Sequence, residues 1–229
     1  MQPKLAVLDM AGTTINDGGL VQQAAINAMQ NLMSVNITKR DADQVMGIPK
    51  TTAFQTLCSI AGAPSDNDTV VKLVTYFNQE LTELYKDPRN ISLMPFAEEL
   101  FTTMRKFNTK IYLNTGFERA IATTIVNTLN LSKSIDGYIG SDEVELGRPH
   151  PDMIHKAMKL AHVEFSHKVM KIGDTVSDLY EGYSAGCGFN IGVLTGAQTY
   201  EELRTAPYTQ IVANLEPVIN FFISGISHK

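Results

Sequence analysis

The chain has 229 residues, 44% of them hydrophobic and 19% charged, a composition that lets one domain with an insertion bury its core without staples. Its 24 acidic and 19 basic residues give a net charge of -5 with no block of like charge, so nothing marks a nucleic-acid or anionic-membrane partner. Cys58 and Cys187 lie far apart and outside any CxxC spacing, which excludes a disulfide framework and suits two small buried hydrophobes in a reduced, cytoplasmic setting.

In chain order, residues 5–8 form a short apolar run closed by Asp9 and followed by Gly12-Thr13-Thr14, the pattern of a buried strand opening into a polar loop. The run is too short for a signal peptide or a membrane span, and so is the apolar stretch 218–226. From Ile15 to about Asn90 the strand signals give way to helical patterns at 20–33, 39–45, 50–61 and 68–85, with Gly18-Gly19 and the segment 87–90 as flanking hinges. An insertion that leaves and re-enters at one loop has the layout of a cap. The apolar residues Ala24, Ala25, Ala28 and Met29 of its first helix suit either a core or a face for a second subunit, so a homodimer through the cap is one expectation.

Strand patterns return at 110–113, 168–172, 189–194 and 210–213, alternating with amphipathic stretches at 97–107, 118–129, 151–161 and 177–185. Alternation of this kind predicts an α/β fold with a Rossmann-like parallel sheet covered on both faces. The expected division is a core of residues 1–15 and 91–229 and an all-helical cap of residues 16–90. In open parallel sheets ligands bind beyond the carboxyl ends of the strands, where each polar cluster of this chain begins.

Three of those clusters carry carboxylates: Asp9 after the first strand, and Asp174 and Asp178 in Gly173-Asp-Thr-Val-Ser-Asp178. A single aspartate after a strand is often only a helix cap. Three converging in one cleft repel one another unless a cation neutralises them, and a hard, oxygen-seeking ion such as Mg2+ suits the donor set. The candidate phosphoryl binders are Thr13 with the backbone of Gly12, Thr115 with the Gly116 amide, and Arg148, held in the stiff Gly147-Arg-Pro-His-Pro151 loop. The five histidines, His150, His155, His162, His167 and His228, show no metal-ligand spacing.

These motifs together resemble those of the haloacid dehalogenase superfamily: Asp9-Met-Ala-Gly-Thr-Thr14 as the nucleophile motif, Asn114-Thr-Gly116 as the second, Arg148 as the basic third and Gly173–Asp178 as the acidic fourth. Within it the chain is similar to the phosphonatase (phosphonoacetaldehyde hydrolase)-like subgroup, through Asp-x-Ala-Gly-Thr-Thr, the pattern from Asp142 to Pro151, Glu181-Gly182 after the fourth motif, and Met46-Gly-x-x-Lys50. The resemblance implies an Asp9 nucleophile, Mg2+ held by Asp9, Asp174, Asp178 and the Ala11 carbonyl, Met46 at the substrate, and Lys50 forming a Schiff base with a 2-oxophosphonate. The resemblance also implies that phosphatases of this superfamily carry the leaving-group acid two positions after the nucleophile, where this chain has Ala11, and an ester leaving group without an acid departs slowly. A carbon leaving group instead needs an amine-derived electron sink.

Lys50 could equally be a solvated helix-start lysine or a charge clamp on a substrate phosphate. Three positions depart from the subgroup pattern, Ala53 for a histidine, Phe117 for a tyrosine and Gly19 for a cysteine, and they bear on the substrate more than on the reaction type. The alternatives are a phosphate-monoester phosphatase with the same machinery and, further off, a non-catalytic receiver-like phosphoacceptor.

Overall fold

Leu5–Asp9 (β1) is buried at every position and forms the middle of the sheet. It leads into the two-residue strand Ile15–Asn16 (β2) and then four helices, Leu20–Met33 (α1), Lys39–Asp43 (α2), Lys50–Ala61 (α3) and Asn67–Lys86 (α4). Ser92–Leu93 (β3) returns the chain to the core, followed by Ala97–Lys106 (α5), Lys110–Asn114 (β4), Arg119–Thr128 (α6), Gly137–Ile139 (β5) and Asp152–Ala161 (α7). The remainder is Val169–Gly173 (β6), Val176–Ser184 (α8), Phe189–Val193 (β7), Tyr200–Leu203 (α9), Gln210–Val212 (β8) and Glu216–Ser224 (α10). This computed structural model describes residues 2–224; His228 and the end of the apolar stretch 218–226 lie outside the described residues.

Six strands pair in parallel in the order β5-β4-β1-β6-β7-β8, so β1 lies between β4 and β6, with Asp9 level with Asn114. The side chains of β1 alternate as a two-faced strand requires: Ala6 and Leu8 join one core cluster, Leu5 and Val7 the other. The first cluster also contains Leu57, Leu73 and Phe77, so the apolar interior of the cap is continuous with one face of the sheet. Fully burying a leucine such as Leu8 contributes roughly 1.5–3 kcal/mol.

Helix α4 shows why the cap helices form. Val70, Leu73, Phe77, Leu81 and Tyr85 recur at three- and four-residue spacing and are all buried, while Asp66 caps the first turn by accepting from the Thr69 amide at 3.1 Å. Ala24, Ala25, Ala28 and Met29 of α1 are buried inside the chain, where α1 packs on α4.

Two short elements escaped the sequence patterns at the stalk of the insertion. Strands β2 and β3 pair antiparallel, Ile15 with Leu93 and Asn16 with Ser92, so the segment is helical between its ends and joined to the core through a small ribbon. Asp17 reinforces the stalk by accepting from the amides of Gly19 and Val21 and from the Tyr85 hydroxyl at 2.8 Å. Gly18 and Gly19 have φ of 61° and 90°, the left-handed region in which glycine is strain-free. Among the described residues no helix is long and apolar enough to cross a membrane.

Candidate active site

The parallel sheet brings Asp9, Asn114 and Asp174 to one edge, each just where its strand ends. Asp178 follows in the first turn of α8, its carboxylate accepting from Thr175 Oγ1 at 2.6 Å in a capping box. Carboxylate oxygens of Asp9, Asp174 and Asp178 lie within 4.8 Å of one another, all three residues being buried. Gly173 permits the approach: a Cβ there would stand 2.2 Å from Asp178 Cγ.

The three carboxyls are electrostatically unlike. Burial raises Asp9 to about 6, with Asp178 adding to the rise and Arg148 and Lys171 opposing it. Asp174 is pushed well above the usual carboxylate range by burial first, then by Asp9 and Asp178. Burial acts against ionisation of Asp178 too, but Arg148 and Lys171 outweigh it and hold this carboxyl below its ordinary value. The Asp9–Asp174 side therefore carries negative charge that the protein's own cations leave uncompensated. An all-oxygen donor set with that deficit fits a hard divalent cation, so these residues could hold a metal ion.

Arg148 is 6% exposed and engages every wall around it. Its NH1 donates to Asp9 Oδ1 at 2.7 Å, its Nε to Glu181 Oε2 at 3.1 Å, and its NH2 to Asn114 O at 2.9 Å and Oδ1 at 2.7 Å. Asp178, Asp9 and Glu181 outweigh the desolvation of the guanidinium and raise its pKa, so the charge is permanent. Asn114, Lys171 and Glu181 were not singled out from sequence as site residues. Lys171 had a visible signal, a charge in the middle of an apolar strand pattern; Glu181 lies three residues after Asp178 on the same helix face.

The expected phosphoryl binders divide into two groups. Thr115, Gly116 and Arg148 line a cavity of about 40 Å³ together with Asp9, Met46 and Lys50. Gly12 and Thr13 do not line it. The amides of Gly12, Thr13 and Thr14 already donate to Ile15 O and Met10 O inside their own turn, and Thr13 Oγ1 donates to Asp174 Oδ1 at 2.9 Å. Gly12, at φ 89°, leaves room for Asp174, because a Cβ there would lie 2.6 Å from Asp174 Oδ2. This turn is a support for Asp174. Ala11 lines the cavity and offers no acid.

The cap closes the cavity from above. Gly47 presses on the core so tightly that a Cβ would come within 2.7 Å of Thr175 Oγ1. Asn78 of α4 donates to Glu118 Oε1 across the same boundary at 2.7 Å. Lys50 starts α3 and is half-buried, its Nζ directed inward, 5.4 Å from the ring centroid of Phe77 and 5.5 Å from that of Phe117. Desolvation lowers this amine from 10.5 to about 8; Arg148 adds to the effect and Asp9 opposes it. Of the three departures, Ala53 is buried one turn further along α3, Phe117 packs edge-on against Tyr85, and Gly19 precedes α1.

A central parallel sheet with a strand-end aspartate cluster, a buried arginine and a helical cap inserted after the first strand defines the class of haloacid dehalogenase-like hydrolases. The model of that family matches residues 6–191, and the chain belongs to it. It is therefore a hydrolase with a Rossmann-like core and a helical cap. A phosphonoacetaldehyde hydrolase of Bacillus cereus is 27% identical over 243 residues, covering 100% of this chain and 91% of that protein. The crystal structure of a phosphonoacetaldehyde hydrolase-like protein from Oleispira antarctica superposes with TM-score 0.81 at 22% identity, covering 97% of this chain and 93% of the other. A predicted phosphoglycolate phosphatase from Haemophilus somnus also superposes with TM-score 0.81, at 15% identity, covering 96% and 98%. At these identities the two structures share the fold.

Proposed function

We propose that the chain cleaves the carbon–phosphorus bond of a small 2-oxophosphonate, using Asp9 as nucleophile and Lys50 as the amine that activates the carbonyl. The observation that carries this reading is the placing of a desolvated lysine, lowered to about 8, over the same cavity as Asp9. The full-length similarity to a phosphonoacetaldehyde hydrolase supports it, and so does the absence of an acid at Ala11.

In this reading the neutral Lys50 amine attacks the carbonyl carbon beside the phosphonate carbon, and the adduct takes up one proton from solvent and loses water to give a protonated imine. The Asp9 carboxylate attacks phosphorus, the electron pair of the C–P bond moves into the imine, and an aspartyl phosphate and an enamine result. One water hydrolyses the aspartyl phosphate to phosphate and restores Asp9; the enamine takes a proton at carbon, and a second water releases the carbonyl product and free Lys50. Arg148 and Thr115, with the Gly116 amide, stabilise the transferring phosphoryl charge, and Met46 bounds the substrate from the cap. Asp9, Asp174, Asp178 and the Ala11 carbonyl would hold Mg2+. When bound, that ion neutralises charge on the carboxylates and the phosphoryl oxygens. Residues 16–90 serve as a cap that opens on its ribbon stalk over a core of 1–15 and 91–229. The unpaired thiols of Cys58 and Cys187 support a cytoplasmic setting.

The test is borohydride reduction of the enzyme with a 2-oxophosphonate and Mg2+. A mass adduct at Lys50, lost in Lys50→Ala while metal binding persists, is the expected result; Asp9→Ala loses all turnover. No adduct together with hydrolysis of ester phosphates would replace this reading by a phosphate-monoester phosphatase.

A further inference from the structure

Lys171 takes no part in the chemistry above, yet it is a charged residue with 0% exposure in the middle of β6. Its neighbours in register are Val7 on β1 and Asn190 on β7, so it occupies a position where a parallel sheet ordinarily holds an aliphatic side chain. Its Nζ lies 2.8 Å from Asn114 Oδ1, 2.8 Å from Glu181 Oε2 and 2.9 Å from Asp178 Oδ1. Arg148 uses the same three atoms: NH2 donates to Asn114 Oδ1, Nε to Glu181 Oε2, and NH1 stands 3.0 Å from Asp178 Oδ1. Asn114 locks the arrangement, since its Nδ2 donates to both Glu181 oxygens at 2.8 and 2.9 Å, which fixes the amide with Oδ1 facing the two cations.

The group thus contains two cations set against Asp9, Asp178 and Glu181. Without Lys171, Glu181 and Asp178 would have only Arg148 to balance them; Glu181 meets the guanidinium at Nε, and Asp178 competes with Asp9 for NH1. Buried carboxylates left short of a partner draw the nearest cation, and here that cation is the one beside the nucleophile. With Lys171 present, Arg148 reaches Asp9 Oδ1 at 2.7 Å.

We propose that Lys171 is a positioning residue that, by sharing Glu181, Asp178 and Asn114 with Arg148, holds the guanidinium forward at Asp9 and available to a phosphoryl group there. The inference rests on the reading of Asp9 as nucleophile and Arg148 as phosphoryl clamp. A lysine kept only to hold the fold would, on removal, lower the melting temperature and leave phosphate affinity alone. A positioning lysine would weaken phosphate binding, and removing the Glu181 charge with it would relieve the effect.

Binding of inorganic phosphate separates the two. Phosphate is the product of C–P cleavage and of ester hydrolysis alike, so the measurement does not depend on the substrate. Titration calorimetry of the whole chain with Mg2+ and phosphate is compared for wild type, Arg148→Met, Lys171→Met and the double variant Lys171→Met/Glu181→Gln, with thermal melting of each. Lys171→Met, which leaves Glu181 and Asp178 to pull on Arg148 alone, is expected to bind phosphate more weakly by on the order of 10- to 100-fold, the size of a misplaced clamp, whereas the double variant, which removes a carboxylate charge with the lysine, is expected to melt near wild type and to regain most of that affinity. Wild-type phosphate affinity in Lys171→Met overturns the proposal, as does a double variant that binds as weakly as the single one or fails to fold, because Lys171 would then serve the fold itself. Unchanged affinity in Arg148→Met would instead remove the clamp reading on which the inference stands.

Discussion

At the scale of single residues, the surroundings of Lys50 are what suit it to the proposed chemistry. A lysine at 10.5 is almost wholly protonated at neutral pH and cannot attack a carbonyl, whereas one at about 8 supplies a useful free-amine fraction. Trapping at Lys50 is therefore expected to rise with pH through about 8 and to level off above it, as followed by the rate of borohydride-dependent labelling. A midpoint near the ordinary lysine value would show that the cap does not desolvate the amine. The sequence made Asp9, Asp174, Asp178, Arg148 and Lys50 visible because each sits in a short motif. It concealed the partners that tune them, since Phe77 reads as one more apolar helix residue and meets Lys50 only after α3 and α4 pack. Thr13 shows the converse, a residue visible in a motif whose pairing is not. A hydroxyl in a glycine turn resembles a phosphate binder until its partner, Asp174, arrives from a strand far along the chain.

At the scale of elements, the segment between α2 and α3 is the most exacting contact between cap and core. Gly47 has φ 77°, and any Cβ at that position would lie 2.7–2.9 Å from three atoms of Thr175. Gly47→Ala is expected to hold the cap ajar and lower turnover at least about tenfold while the protein still melts cooperatively, because the clash lies between two bodies and not within one. Stopped-flow or steady-state rates beside a melting curve check this, and an unchanged rate would show that closure tolerates the methyl group. At the other end of the insertion, Tyr85→Phe removes the hydroxyl that Asp17 accepts and is expected to cost about 1–2 kcal/mol in denaturant unfolding. Long periodic helices and buried strands were readable from spacing alone. The ribbon of β2 and β3, the edge strand β5 and the single-turn helix α9 were not, because two to four residues carry no period and are specified by their partners.

At the scale of the whole molecule, the carboxylate cluster couples stability to both protons and metal. In the metal-free protein burial pushes Asp9 up to about 6 from an ordinary 3.8 and also holds Asp174 well above 3.8, so from 3.8 upward through these raised values the folded state binds more protons than the unfolded chain. Stability then falls as pH rises through that window. Asp178 has the opposite sign: its contribution is present above 3.8 and is lost as pH falls through its lowered value. Mg2+ is accordingly expected to raise the melting temperature, by more at about pH 8 than at about pH 5, where protons already relieve the repulsion. Equal shifts at both pH values would place the ion elsewhere.

The position of β1 in the sheet also governs when the molecule becomes competent. Leu5 aligns with Lys110 on one side and with Val169 on the other, so this strand leaves the ribosome before either of its neighbours is made. At roughly 5–20 residues per second, about 8–33 s separate synthesis of Asp9 from synthesis of Asp174. The cap helices, whose contacts are local, have time to form in that interval, while the nucleophile strand waits unpaired. A chain stalled before β6 therefore leaves one edge of β1 unpaired and lacks two of the three clustered carboxylates. The proposed activity begins only once Asp174 and Asp178 have been made and β6 has joined β1.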